Sequence, residues 1–103
     1  MTVFGLSDFA DWQKRSCLRE YILDSDNTEQ TADRCFAVCL RFPSVSVSAS
    51  SRRIVFRDGK NSLTLNRVKE VRLDEDPDLV GTVFDVVCLT VDGKEIVWRF
   101  LAD

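Results

Sequence analysis

Short apolar runs that alternate in phase and stop at Asp-Gly turns dominate the second half of this chain. Ile54-Val55-Phe56-Arg57 leads into Asp58-Gly59-Lys60-Asn61 and then Ser62-Leu63-Thr64-Leu65. The run from Val83 to Val91 leads into Asp92-Gly93-Lys94, and Glu95 to Leu101 follows. Asp-Gly between alternating apolar runs marks a hairpin, because glycine takes positive φ without steric cost. Two such hairpins predict an antiparallel sheet.

The phases around the hairpins carry more detail. Val45, Val47 and Ala49 alternate with serines at 44, 46, 48 and 50, which describes a strand with one wet face. Ile54 and Phe56 fall on the other parity, so a bulge or tight turn is expected at Ser50-Ser51-Arg52-Arg53. Leu63 and Leu65 are in step, Val68 is out, and Val71 and Leu73 return. Two short strands with a kink near Asn66-Arg67 follow from this. Cys35 to Phe42 is apolar on both sides, as is the hairpin from about Thr82 to Leu101, so both are expected to be covered or central. Pro43 breaks the first of these, and Pro77 keeps the acidic loop Asp74-Glu75-Asp76-Pro77-Asp78 out of a ladder.

Ahead of the sheet, Ser7 or Asp8 is placed to cap a helix over about 7–23. Leu6, Ala10, Cys17, Leu18 and Tyr21 form its apolar stripe at a period of 3.6. Phe9 and Trp12 lie off that stripe. Either the helix is buried on more than one side, or these two aromatics form an exposed contact anchor, since aromatics dominate interface hot spots. A polar loop over 24–33 follows. Its Asp24, Asp26 and Thr28 imitate a calcium loop, but Glu29 stands where glycine is needed and Cys35 where the closing glutamate belongs.

The expected fold class is therefore α+β. An N-terminal helix packs on one strongly curved antiparallel sheet of five to seven strands, a meander over about 35–101 that could form a half-open barrel. With 103 residues, one domain over 1–103 buries a core without metal or disulfide. No apolar run is long enough to cross a membrane as a helix, and the first residues lack a basic leader, so a cytosolic location is expected.

Much chemistry is excluded by what is missing. There is no histidine, which removes the commonest general base and metal ligand. The four glycines are isolated, so no phosphate-cradling loop is present. The four cysteines, at 17, 35, 39 and 88, contain no Cys-x-x-Cys pair. On one strand, Cys35 and Cys39 would sit roughly 13 Å apart, too far to share zinc or a disulfide. Cys17, near Lys14, Arg15 and Arg19, sits on the apolar stripe and is read as a buried hydrophobe, not as a reactive thiol. No enzyme activity, cofactor or metal is expected.

Charge is unevenly spread. From Arg52 to Arg72, seven cations stand against two acids, a local charge of +5. From Leu73 onward, eight acids stand against two cations, a local charge of −6, and the whole chain carries −3. Opposite charges could neutralise each other across neighbouring strands. They could instead form a two-signed surface that orients a partner. The first function class to follow is a protein-interaction or assembly module, binding itself or another protein, with Phe9 and Trp12 as anchors. The alternative is a module for an anionic ligand, a lipid headgroup or RNA, carried by Arg52, Arg53, Arg57, Arg67 and Lys69. The net acidity disfavours nucleic acid and membrane surfaces.

The stretch 54–101 resembles the β-rich part of bacterial PH-like and GRAM-like modules. The resemblance rests on Ile54-Val55-Phe56, Asp58-Gly59, the stretch Leu63 to Val71, Gly81-Thr82-Val83-Phe84, Asp92-Gly93 and Trp98-Arg99-Phe100. It implies a hairpin, a kinked strand and a further hairpin. Such modules close with a C-terminal helix, whereas here the helix comes first, which is also the order of Sm-like folds. No ligand residues carry over from either family.

Overall fold

A computed structural model describes residues 2–16, 20–24, 39–74 and 82–102. Strand β1 (Thr2–Phe4) precedes helix α1 (Leu6–Arg15). Strands β2 (Tyr21–Asp24), β3 (Cys39–Phe42), β4 (Ser44–Ser48), β5 (Arg53–Asp58) and β6 (Asn61–Leu65) follow. Then come β7 (Val68–Asp74), β8 (Thr82–Leu89) and β9 (Glu95–Ala102). The class is α+β, with one short helix and antiparallel strands among the described residues.

The strands form two open sheets where one curved sheet was expected. Six strands run in the order β1-β7-β8-β9-β2-β3, and three in the order β4-β5-β6. The split falls at Pro43 and at Asn66-Arg67, where the chain passes from one sheet to the other. Proline donates no ladder bond at the first crossing. At the second, Arg67 adopts a φ of 56°, which no strand residue holds. The kink read near Ser51 is also present, as a turn in which the Arg52 amide donates to the Ala49 carbonyl at 3.3 Å. A shift in register between Val68 and Glu70 leaves Lys69 in a bulge, and this returns Val71 and Leu73 to the core face.

The helix is shorter than the stripe suggested. It starts at Gly5, whose carbonyl accepts from the Phe9 amide at 2.9 Å, and neither Ser7 nor Asp8 caps it through a side chain. Asp8 in the first turn and Lys14 and Arg15 in the last suit the helix dipole. Tyr21 lies on β2, not on the helix. Tyr21 and Leu23 are buried and Ile22 is half-buried, a two-residue period that β9 satisfies by pairing Ile22 with Leu101. Pairing with a central strand outweighs a helical period over so short a run. Cys17 and Leu18, residues 25–33 of the polar loop, the Cys35 end of the next run and Glu75 to Asp78 lie outside the described residues.

Helix α1 and the three-stranded sheet cover the same face of the six-stranded sheet. Phe84 and Phe100, neighbours across β8 and β9, stack at 5.3 Å between ring centroids. Phe9 reaches Phe84 from the helix at 5.4 Å, and Phe56 stacks on Phe100 from β5 at 4.2 Å. Tyr21 adds an edge contact to Phe56 at 5.8 Å. β8 is central and buried on both faces, as its two-parity apolar pattern requires.

Candidate anion-binding groove

Both Asp-Gly turns form. Gly59 and Gly93 take φ of 53° and 84°. Around Gly93, Thr90 pairs with Lys94, its amide donating to the Lys94 carbonyl at 2.8 Å, and its hydroxyl donates to Asp92 at 2.6 Å. The turn holds Val91 out in solvent, 88% exposed.

This hairpin tip stands beside the opposite end of the β5–β6 hairpin, away from its Asp58-Gly59 turn. Two backbone bonds build the junction. The Val68 amide donates to the Arg52 carbonyl at 3.0 Å, and the Leu89 amide donates to the Arg67 carbonyl at 2.9 Å. Arg52 and Arg67 are the two non-glycine residues with positive φ among those described, at 50° and 56°. The two kinks thus meet. Between them lies a groove of about 600 Å³ lined by Arg52, Arg53, Asn66 and Arg67 on one side and Leu89, Thr90 and Val91 on the other.

The arginines of the groove are engaged to different degrees. Arg52 donates from Nε to the Val68 carbonyl at 2.9 Å and from Nη2 to the Lys69 carbonyl at 3.1 Å. Arg53 donates from Nε to Asn66 Oδ1 at 2.8 Å. Among the described residues, no hydrogen bond or ion pair engages the Arg67 side chain, and no carboxylate pairs with any of the three.

The other residues singled out from sequence lie elsewhere. Arg57 sits toward the Asp58-Gly59 end of β5, opposite Ser62 and Ser44. Lys69 donates to Glu95 at 2.7 Å, and Arg72 donates to Glu70 at 2.8 Å and approaches Glu95 at 3.6 Å. The hydrogen bond to Glu95 raises the Lys69 pKa, and the same bond from Lys69 holds Glu95 below the usual carboxylate range. The bond to Glu70 raises Arg72 in turn. This part of the charge pattern is mutual neutralisation. Phe9 is fully buried, and Trp12 is half-buried, packed on Phe9 at 5.8 Å and Phe4 at 6.0 Å. The exposed aromatic pair is absent because both rings complete the core where α1 crosses the sheet.

Leu89, Thr90, Val91 and Gly93 are not among the candidate site residues that the sequence suggests. Their only signal was the Asp92-Gly93 turn, which places Val91 at a tip but not beside Arg67. The groove offers arginine donors to an oxyanion, with Leu89 and Val91 alongside. Among the described residues, no group of three or more His, Cys, Asp or Glu could hold a metal ion. Cys88 is buried, which pushes its thiol up to about 11. No helix among the described residues is long and apolar enough to cross a membrane. No protein-family model, curated protein or solved structure matches this chain.

Proposed function

We propose that this chain is a non-enzymatic interaction module that holds an anionic group of its partner in the Arg52–Arg53–Arg67 groove. The observation that carries the reading is the convergence of three arginines on one groove, with no carboxylate paired to any of them among the described residues. Cations placed elsewhere in the basic stretch, such as Lys69 and Arg72, have acidic neighbours. Arg57 and Lys60 also lack an ion pair among the described residues, so convergence on one groove, not the missing pair alone, marks the three arginines.

Net charge narrows the partner. The chain carries −3, so an extended polyanion or an anionic membrane would meet repulsion beyond the groove. A short anionic group feels mainly the charges within about a Debye length, roughly 8 Å at physiological salt. The resemblance of residues 54–101 to PH-like and GRAM-like modules supplies no ligand residues.

Calorimetric titration of the intact chain with pyrophosphate across a salt series tests this. Binding should weaken as salt rises and should be lost in an Arg53→Gln/Arg67→Gln variant. Absence of binding at low salt, or equal binding by the variant, would contradict the reading.

A further inference from the structure

Arg67 occupies a backbone position that favours glycine. Its φ of 56° lies in the left-handed region, where a side chain is crowded by the neighbouring carbonyl. Arg52 shares that conformation, but its side chain stabilises the junction through two backbone carbonyls. The Arg67 side chain makes no such return, since no hydrogen bond or ion pair engages it among the described residues. Backbone strain of this kind, carried by a residue whose side chain has no polar partner among the described residues, points from structure toward binding.

The donors left over define the ligand. Arg52 has committed Nε and Nη2 to the main chain, so it acts as a positioning residue that also lends charge. Arg53 has committed Nε alone, to Asn66. Among the described residues, no partner takes the terminal nitrogens of Arg53 or any donor of the Arg67 fork. Two guanidinium groups with free donors match a group with two negative charges and three acceptor oxygens better than a carboxylate, which has one charge and two oxygens. A phosphate monoester has that form at neutral pH. Resting on the groove reading above, we infer that Arg67 and the free end of Arg53 clamp a phosphate monoester, with Leu89 and Val91 flanking the group that bears it.

The test separates affinity from stability. Phenyl phosphate, benzoate and a capped phosphoserine tripeptide are titrated at fixed ionic strength into the intact chain and into Arg67→Gly, Arg52→Gly and Arg57→Gln. The wild-type chain should prefer phenyl phosphate to benzoate by about tenfold or more, because charged hydrogen bonds are lost with the smaller anion. Arg67→Gly should lose that preference while its urea midpoint stays level or rises. Arg52→Gly should lower the midpoint. Arg57→Gln, which removes the same charge, should leave binding intact. Tighter binding of the peptide than of phenyl phosphate would assign the phosphate to a protein side chain, and the reverse to a small molecule; either supports the clamp. If pyrophosphate binds the wild-type chain but Arg67→Gly keeps the preference or unfolds earlier, the clamp is wrong and the groove reading stands. If the wild-type chain binds no anion, both fall.

Discussion

Asp85 and Arg99 face each other across β8 and β9 and are joined by two parallel hydrogen bonds. Arg99 Nε reaches Asp85 Oδ1 at 2.8 Å, and Arg99 Nη2 reaches Asp85 Oδ2 at 3.0 Å. Arg72 is the register partner of Asp85 on the other side, so an Arg-Asp-Arg rung crosses three strands on the face away from the aromatic core. Asp85 is 8% exposed, and it is the one charged residue buried among those described. The pair satisfies a carboxylate that burial would otherwise penalise.

Asp85→Ala should therefore be costly. Arg99 retains access to water, so the loss should be about 1–3 kcal/mol rather than the larger penalty of a fully buried pair. Urea denaturation should show a lower midpoint with an unchanged slope.

Phe56 couples the two sheets by stacking on Phe100. Both rings are fully buried. Phe56→Ala should cost about 3–5 kcal/mol through lost burial and a cavity between the sheets. A double-mutant cycle with Phe100→Leu should show coupling, because the two rings share that space.

Glu95 should titrate below an ordinary glutamate, since Lys69 donates to its charged form. A carboxylate with a depressed folded pKa contributes stability that is present above its unfolded value, near 4.5, and is lost as pH falls through the folded value. Carboxyl carbon NMR should place the Glu95 midpoint below that value in the wild-type chain and move it upward in Lys69→Gln.

Cys88 should resist alkylation at neutral pH, because its buried thiol ionises only near 11. Raising the folded pKa above the reference value of 9.0 favours the folded state below that value, and the advantage is lost as pH climbs toward 11. Mass spectrometry of the peptide bearing Cys88 after brief iodoacetamide treatment should show labelling only when urea is added.

Phase slips were the most legible part of the fold. The change of parity after Ala49 and again at Val68 located the kinks that carry Arg52 and Arg67, because side chains in a strand must alternate. β1 has only three residues, too few to display a period, and β2 carries a period that fits helix and strand alike. Division into two sheets depends on which strands pair, which local pattern does not encode. The same limit applies to the site. Arg52, Arg53 and Arg67 stood out as cations, but their separation from Lys69 follows from the bulge that turns Lys69 toward Glu95. Their proximity to Val91 follows from the β7–β8 register, which the Leu89–Arg67 bond extends, and from the Val68–Arg52 bond.

Chemical-shift mapping with pyrophosphate on the isotopically labelled chain tests the groove most directly. Amide shifts should concentrate at Arg52, Arg53, Asn66, Arg67 and the turn from Thr90 to Gly93, with Arg57 and Ser62 unmoved. Shifts centred on the Asp58-Gly59 turn or on Lys69, or no shifts at low salt, would contradict the account.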